Sequence, residues 1–310
     1  MNASIMTTGQ FPDLLRVGIR EVFLSEYQNY PEMYSKVYDV QTSNRAYEEE
    51  LIIAGFGAVP EWNSDGSELP TDRALTGNRV LYVHKDYGMM WTVSKRLLRE
   101  DLYAKIGGEL MREAVRAMKH TVELVSWSVI ANGFQGTNNR PPLFGNQTLL
   151  NGETFSNAVS VALTPTGLEQ ALTRFHRWRN HRGIPVVIEP KLLVVPPELK
   201  YVAYTLLHST YYPNIGSGGN TAPSSTGSAF YENPFKNVIP DTLCVPYLSD
   251  INDWFLFAAP KVHKLRFYWR EKPATDMFTD FRTKGVMHSI TSAFSVGYTD
   301  FYGVLGSQVS

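Results

Sequence analysis

The sequence predicts an α+β protein with an elongated body, and three observations carry that expectation. Apolar residues recur at Leu98, Leu102, Ile106, Leu110, Ala114, Met118, Val122, Val125 and Val129, with Leu97, Met111 and Val115 widening the stripe. The period is near 3.6, so one helical pattern runs through residues 95–134. At about 1.5 Å per residue it measures roughly 50 Å, more than a compact domain needs. Residues 284–302 alternate with period two instead: Val286, His288, Ile290, Ser292, Phe294, Val296 and Tyr298 share one face, and Gly285, Met287, Ser289, Thr291, Ala293 and Ser295 the other. Such a strand is far longer than the usual run of about five or six. Third, residues 51–58 and 80–93 read as strands joined by a polar excursion, 61–78, that carries Gly66, Pro70 and Gly77. Together they make a long hairpin.

Each element has its own justification. Residues 1–50 have weak periodicity: a short helix around Leu14, Leu15, Val17 and Ile19 is interrupted by Gly18 and closed by Pro31, which reads as an arm lying along a neighbour. The hairpin has little core of its own, and a lone hairpin is marginal in water, so it reads either as packed on another subunit or as a surface loop. Ser94 is the expected N-cap of the long helix and Asn132-Gly133 its stop. On its exposed faces Asp101 with Lys105, Glu113 with Arg116, and Lys119 with Glu123 are spaced for mutual support. Gly107-Gly108 reads as a bend, a close crossing or a tolerated defect.

Farther on, Thr164 is the expected N-cap of a helix with Pro165 at its first position, with Leu168, Ala171, Leu172, Phe175 and Trp178 inward and Gly183 as its stop. Residues 186–188 and 192–195 read as short strands, and Pro196-Pro197 open a second helix with Leu199, Val202, Ala203, Leu206 and Leu207 inward. A Gly-, Ser- and Asn-rich loop follows over 211–237. Residues 243–248, 254–259 and 262–269 then read as strands, ahead of the long terminal one.

With 310 residues the chain can bury a sizeable core, as one large domain or two ordinary ones. It is 43% apolar and 13% aromatic but only 19% charged, a surface suited to extensive protein contacts. Lys plus Arg number 29 against 30 for Asp plus Glu, a formal charge of −1, so no net positive field draws the chain to nucleic acid or anionic lipid. The single cysteine, Cys244, excludes an intramolecular disulfide and a thiolate metal cluster. Residues 1–15 lack the basic start and apolar run of a signal peptide, and no apolar stretch reaches the roughly 18 to 20 residues that span a bilayer, so a protein made inside the cell with no membrane partner is expected.

No chemistry-bearing constellation emerges, so no catalytic, cofactor-binding or metal-ligating residue is expected. His84, His120, His176, His181, His208, His263 and His288 form no metal-ligand pair at helical spacing. Gly216, Gly218 and Gly219 follow a helix and open no other, unlike a nucleotide-binding loop. Glu48-Glu49-Glu50 and Asp250 with Asp253 read as solvated acids, with no apolar pocket nearby to raise a carboxyl pKa and with Arg residues of a neighbouring subunit as partners. Arg174, Arg177, Arg179, His181 and Arg182 surround Trp178 in the one segment basic enough for nucleic acid, and a local ion-pairing surface is the expected reading.

A long hairpin, a long helix, a mixed region opening on Pro185-Val186-Val187-Ile188-Glu189-Pro190-Lys191-Leu192-Leu193-Val194-Val195-Pro196-Pro197-Glu198-Leu199 and a long terminal strand together resemble the major capsid proteins of tailed bacteriophages, those with the Hong Kong 97-like fold. The run 192–199 followed by Ala203, Leu206 and Leu207 is the most specific part, similar to the strand-to-helix unit of that family's axial domain. The resemblance implies an N-terminal arm (1–48), an extended hairpin loop (49–93), a peripheral domain with the spine helix (94–149), an axial domain (150–261), and return strands of the peripheral domain with a C-terminal tail (262–310).

It further implies a structural, non-enzymatic head protein of the virion, assembled in the host cytoplasm as hexamers and pentamers of an icosahedral shell around double-stranded DNA, which it touches without sequence recognition. A separate scaffolding protein, a portal and a decoration protein are the implied partners. Lys85 invites comparison with the covalent cross-links of some such shells, but no acid partner is evident and none is expected. The alternatives are an encapsulin-like compartment, told apart by its cargo, and a hydrolase with a mixed α/β core.

Overall fold

The computed structural model describes residues 23, 25–27, 30–63, 65–94, 96–97, 105–136, 140–211, 232–280, 282–283 and 285–309. Strands β1 (Asp39–Thr42), β2 (Tyr47–Ala54), β3 (Leu75–Val83) and β4 (Lys85–Val93) precede helix α1 (Lys105–Ala131). Then come β5 (Asn146–Thr148), β6 (Thr154–Ser156), β7 (Ala158–Val159), α2 (Pro165–His176), β8 (Leu192–Val195), α3 (Lys200–His208), β9 (Asp241–Cys244), β10 (Trp254–Phe257), β11 (Leu265–Thr279), β12 (Val286–Tyr298) and β13 (Val304–Ser307). Among the described residues no helix is long and apolar enough to cross a membrane.

A four-stranded sheet, β1-β11-β12-β4, carries α1 on one face. Ile290 of β12 packs there with Met111, Ala114, Val115 and Met118, and Phe23 closes the cluster. The α1 stripe is rotated from the sequence expectation: Met111, Ala114, Val115, Met118, Val122, Trp127 and Ile130 are buried, whereas Leu110 is 39% exposed. A stripe three residues wide on a helix has edges, and Leu110 stands on one. The Lys119–Glu123 reading is also overturned, because both side chains are buried and each takes a partner outside the helix. Glu113 and Arg116 do pair, at 2.7 Å.

Gly108 is no close crossing, since a Cβ there would meet nothing within 4 Å. The helix stops where expected. The Gly133 amide bonds to Ile130 O at 2.9 Å, and a Cβ at 133 would lie 2.8 Å from the Phe144 ring. Of the expected helix start, residues 95 and 98–104 lie outside the described residues, as do the expected arm helix near 14–19 and Asp101. Ser94 Oγ accepts from Leu97 N at 3.2 Å, the bond of an N-cap.

The expected strand 80–93 is two strands in two sheets. β3 pairs antiparallel with β2, and after the single residue His84 the chain enters β4 and pairs with β12. His84 is buried and bonded through Nδ1 to Ser295 Oγ at 3.0 Å, so it cannot continue an outward-facing hairpin. β11 is longer than expected and bulges between Trp269 and Ala274, around Pro273, which has no N–H to give to a ladder.

A five-stranded sheet, β7-β13-β10-β8-β9, carries α2 and α3. Its central strands β8 and β10 are buried along their whole length, which matches the unbroken apolar runs Leu192–Val195 and Trp254–Phe257. Thr164 caps α2 by accepting from Gly167 N at 3.1 Å. The helix ends at His176, short of Gly183, and Trp178 is buried from the turn beyond. Residues 186–188 form no strand, and only a lone bridge joins Arg179 to Pro185 nearby. Pro197–Leu199 make a 3-10 turn that leads into α3, with Ala203, Leu206 and Leu207 buried.

The C-terminal stretch differs from a tail: β13 lies between β10 and β7 in this sheet. Most of the glycine-rich loop, 212–231, lies outside the described residues. One aromatic core joins the two sheets, with Val194, Phe255 and Phe257 from the second packed with Phe267, Trp269 and Phe294 from the first.

Candidate assembly surfaces

The segment before β1 is clamped onto α1 by two buried charges. Lys119 Nζ donates to Tyr30 O at 2.9 Å, pairs with Glu32 at 3.3 Å and lies 4.1 Å from the centre of the Tyr27 ring. One turn on, Glu123 accepts from Met33 N (2.6 Å), Tyr34 N (3.1 Å) and Trp127 Nε1 (2.7 Å). Burial pushes the Glu123 carboxyl above its ordinary pKa, and those three donors pull against it. The spacing i, i+4 was legible, but it reads equally as an exposed pair or as two side chains reaching one neighbour.

The hairpin formed by β2 and β3 is rooted by a second ionic cluster. Glu50 Oε1 accepts from Arg266 Nε at 2.9 Å and Tyr268 Oη at 2.7 Å, and its Oε2 accepts from Thr299 Oγ1. Tyr82 Oη lies 2.6 Å from Thr299 Oγ1, and Arg266 Nη1 also reaches Asp39. Arg140 adds a stitch, donating to Leu81 O at 2.6 Å with its guanidinium over the Tyr82 ring. The acidic run is therefore divided. Glu49 pairs with Arg79 at the surface, Glu48 with Ser43 and Arg45, and Glu50 turns inward as an intrachain anchor, contrary to its reading as a solvated acid.

Beyond the root the hairpin presents apolar surface that its own chain leaves open. Tyr47, Leu51 and Ile53 of β2 and Leu81 and Val83 of β3 are exposed on its outer face. In the excursion 55–74 Phe56 is 67% exposed, Val59 93% and Leu69 66%. Singly exposed apolar residues are ordinary, but a contiguous set on one projecting element marks a contact surface. A cavity of about 290 Å³ lies beneath the root, lined by Ile52, Asn78 and Val80 on one side and by Arg140, His181 and Asp300 on the other.

Most of the basic cluster 174–182 is spent within the chain, and Arg177 is exposed. Arg174 reaches Ala158 O, Arg179 donates to Gly183 O at 3.0 Å, and His181 Nε2 lies 2.8 Å from Asp300 Oδ2. Arg182 holds the hairpin excursion through Asp72 at 2.8 Å. Trp178 is wholly buried and offers no stacking face. Asp253 departs from its solvated reading, because it is buried with its carboxyl pKa raised by burial, and it accepts Val309 N at 3.0 Å. Asp250, with which it was paired, caps its own turn by accepting Asn252 N. Among the described residues no three His, Cys, Asp or Glu side chains gather as a metal site. His84, His263 and His288 are buried singly, and His288 stacks on Trp91.

The architecture is the Hong Kong 97-like capsid fold. The chain belongs to the phage capsid protein family, whose family model matches residues 78–306. It is similar to a chain of the procapsid of bacteriophage JBD30, at 15% identity over 98% of this chain and 77% of that one, with a TM-score of 0.50. It is also similar to the capsid of a native GTA particle, at 10% identity, coverage of 91% and 92%, and a TM-score of 0.56. A virus-like particle from Pyrococcus furiosus matches at 11% identity, coverage of 94% and 98%, and a TM-score of 0.54. No curated protein sequence matches the chain.

Proposed function

We propose that this chain is the major head protein of a tailed phage, assembling without catalysis as hexamers and pentamers into a closed icosahedral shell around double-stranded DNA. The observation that carries this reading is the projecting hairpin, rooted by Glu50 and Arg266 and bare of cover at Ile53, Phe56, Val59 and Leu69. Membership of the phage capsid protein family supports it. Shell closure multiplies modest contacts, since a subunit held by several neighbours cannot leave by breaking one interface.

In this reading the segment before β1 is the arm, β2 and β3 with the excursion between them are the extended loop, and α1 with the four-stranded sheet, β1 and β4 included, is the peripheral domain. The five-stranded sheet, including β13, belongs to the axial domain. With a formal charge of −1 the chain meets packaged DNA only locally and without sequence recognition. Scaffolding protein, portal and decoration protein are its partners, and assembly takes place in the host cytoplasm before the shell becomes part of the virion.

Expression of the full chain, alone and with a candidate scaffold, followed by light scattering and electron microscopy, tests the reading. Large closed shells are expected, and a stable monomer at micromolar concentration with scaffold present contradicts it. The resemblance to a virus-like particle favours one other reading, a protein-filled compartment. Shells carrying an enzyme in place of DNA would establish it.

A further inference from the structure

The excursion 55–74 forms no backbone–backbone hydrogen bond among the described residues, because the β2–β3 ladder ends at Ala54 and Leu75. What holds its base is one side chain from the other half of the molecule. Arg182 Nε donates to Gly55 O at 3.1 Å, on the outgoing limb. Its Nη2 donates to Asp72 Oδ1 at 2.8 Å and to Arg73 O, on the returning limb. Asp72 closes the fork, since its Oδ2 accepts Gly57 N at 2.7 Å. A single guanidinium thus ties together both limbs of a 20-residue excursion, using the planar set of donors that lysine lacks.

Arg182 is itself fixed. Its amide bonds to Asn180 Oδ1 at 2.9 Å, and Ile184 N bonds to the same oxygen at 3.0 Å. Gly183 closes the turn at φ +79°, where a Cβ would strike Asn151 at 2.7 Å and Glu153 at 2.8 Å. On the other flank His181 is bonded to Asp300. The post from which Arg182 projects is therefore rigid, while the bonds within the excursion, Trp62 Nε1 to Ser67 O at 3.1 Å and Asp65 N to Asn63 Oδ1 at 3.2 Å, order its tip and leave its base to Arg182 and Asp72.

We infer that Arg182 is a tether that sets the direction in which the excursion leaves the subunit before any neighbour arrives, so that the apolar residues Phe56, Val59 and Leu69 are presented already oriented. The inference rests on the shell reading above for its consequence, and on intrachain geometry alone for the tether. An untethered excursion must be ordered at the moment of docking, and that entropy is taken from the binding free energy. The tether is a partly exposed ion pair reinforced by carbonyl acceptors, so salt weakens it only in part.

Hydrogen exchange on unassembled full-length subunits, run beside an assembly time course, tests this with Arg182→Ala and Asp72→Asn. Both variants should speed amide exchange at Gly57 and its neighbours by about three- to tenfold, leave exchange in α2 and β8 unchanged, and lengthen the lag before shells appear. Arg182→Lys should fall in between. Unchanged exchange around Gly57, or faster exchange with a wild-type lag, overturns the inference. If Arg182→Ala does not fold, Asp72→Asn decides alone, because it leaves the 180–183 turn untouched. If the wild-type chain builds no shells, the shell reading fails by itself, and the exchange rates still decide whether the tether exists.

Discussion

Arg266 Nε lies 2.9 Å from Glu50 Oε1, and this contact fastens the hairpin root to β11. The guanidinium is largely shielded from water, with Asp39 as its second acceptor, while Tyr268 and Thr299 give their hydroxyl protons to the same carboxylate. Glu50→Ala leaves three donors short of an acceptor and should cost about 2 to 4 kcal/mol of stability, read as a lowered urea midpoint of the subunit. Glu50→Gln, which keeps one acceptor oxygen, should cost less. A Glu50→Ala midpoint equal to wild type would show that the cluster is solvated.

The rotated stripe of α1 makes a paired prediction. Val115 is wholly buried against Ile290, so Val115→Asp loses about 1.5 to 3 kcal/mol of burial and adds the cost of a carboxylate in an apolar site. Soluble, folded subunits should not be recovered. Leu110→Asp, at the exposed edge, should cost under about 1 kcal/mol. Circular dichroism melts separate the two, and equal damage from both would place Leu110 inside an interface between copies.

Acid sensitivity follows from the buried histidines. Burial depresses His263 from 6.5 to about 4, and burial likewise lowers His84 and His288, with Arg270 adding to the effect at His84. A depressed pKa means the neutral ring favours the fold: its contribution is whole above the unfolded value near 6.5, shrinks below it, and is gone once the folded form also protonates near 4. For His263 that is up to about 3 kcal/mol. Glu123 and Asp253, with raised pKa values, run the opposite way and contribute most at low pH. Urea midpoints taken from pH 7 to pH 4 should fall, and His263→Asn, which keeps an acceptor for Leu265 N, should flatten the slope. An unaltered slope in that variant would assign the acid loss elsewhere.

Lys119→Met should free the segment before β1 without melting α1. The substitution keeps the side chain's bulk beside Tyr27 but removes the donor to Tyr30 O and the partner of Glu32. Limited proteolysis should cut near residues 27–33 faster than in wild type while helix content stays the same. Equal protection would mean that Glu123 alone holds the segment.

Several regular elements were legible because one residue period or one local cap decides them, whereas the strand expected at 186–188 is absent and β11 runs past its expected end. Thr164 with Pro165 named the start of α2, and Leu192–Val195 followed by two prolines named β8 and its turn. What escaped depended on partners distant in sequence. Nothing local separates Glu50 from Glu48 and Glu49, since its role is set by Arg266, more than two hundred residues away. The break at His84 was hidden for the same reason: β3 and β4 have similar composition, and only their different partners, β2 and β12, divide them. Arg182 sat in a segment already read as an ion-pairing surface, but its acceptors, Gly55 O and Arg73 O, are backbone atoms that sequence does not mark.

The placement of β13 has a mechanical consequence. The chain passes from β10 in one sheet to β11 in the other through 258–264, and returns from β12 to β13 through 299–303, while Phe255, Phe257, Phe267 and Phe294 fill the space between. A force that pulls the sheets apart is therefore borne by these two short covalent crossings, by the longer one from β4 through α1 to β7, and by a close-packed aromatic layer, which yields little before it breaks. Such a subunit behaves as a stiff plate. In a lattice of stiff plates elastic deformation is concentrated at the seams, so the compliance of any assembly built from this chain is set by its projecting hairpin, and hardly at all by its body.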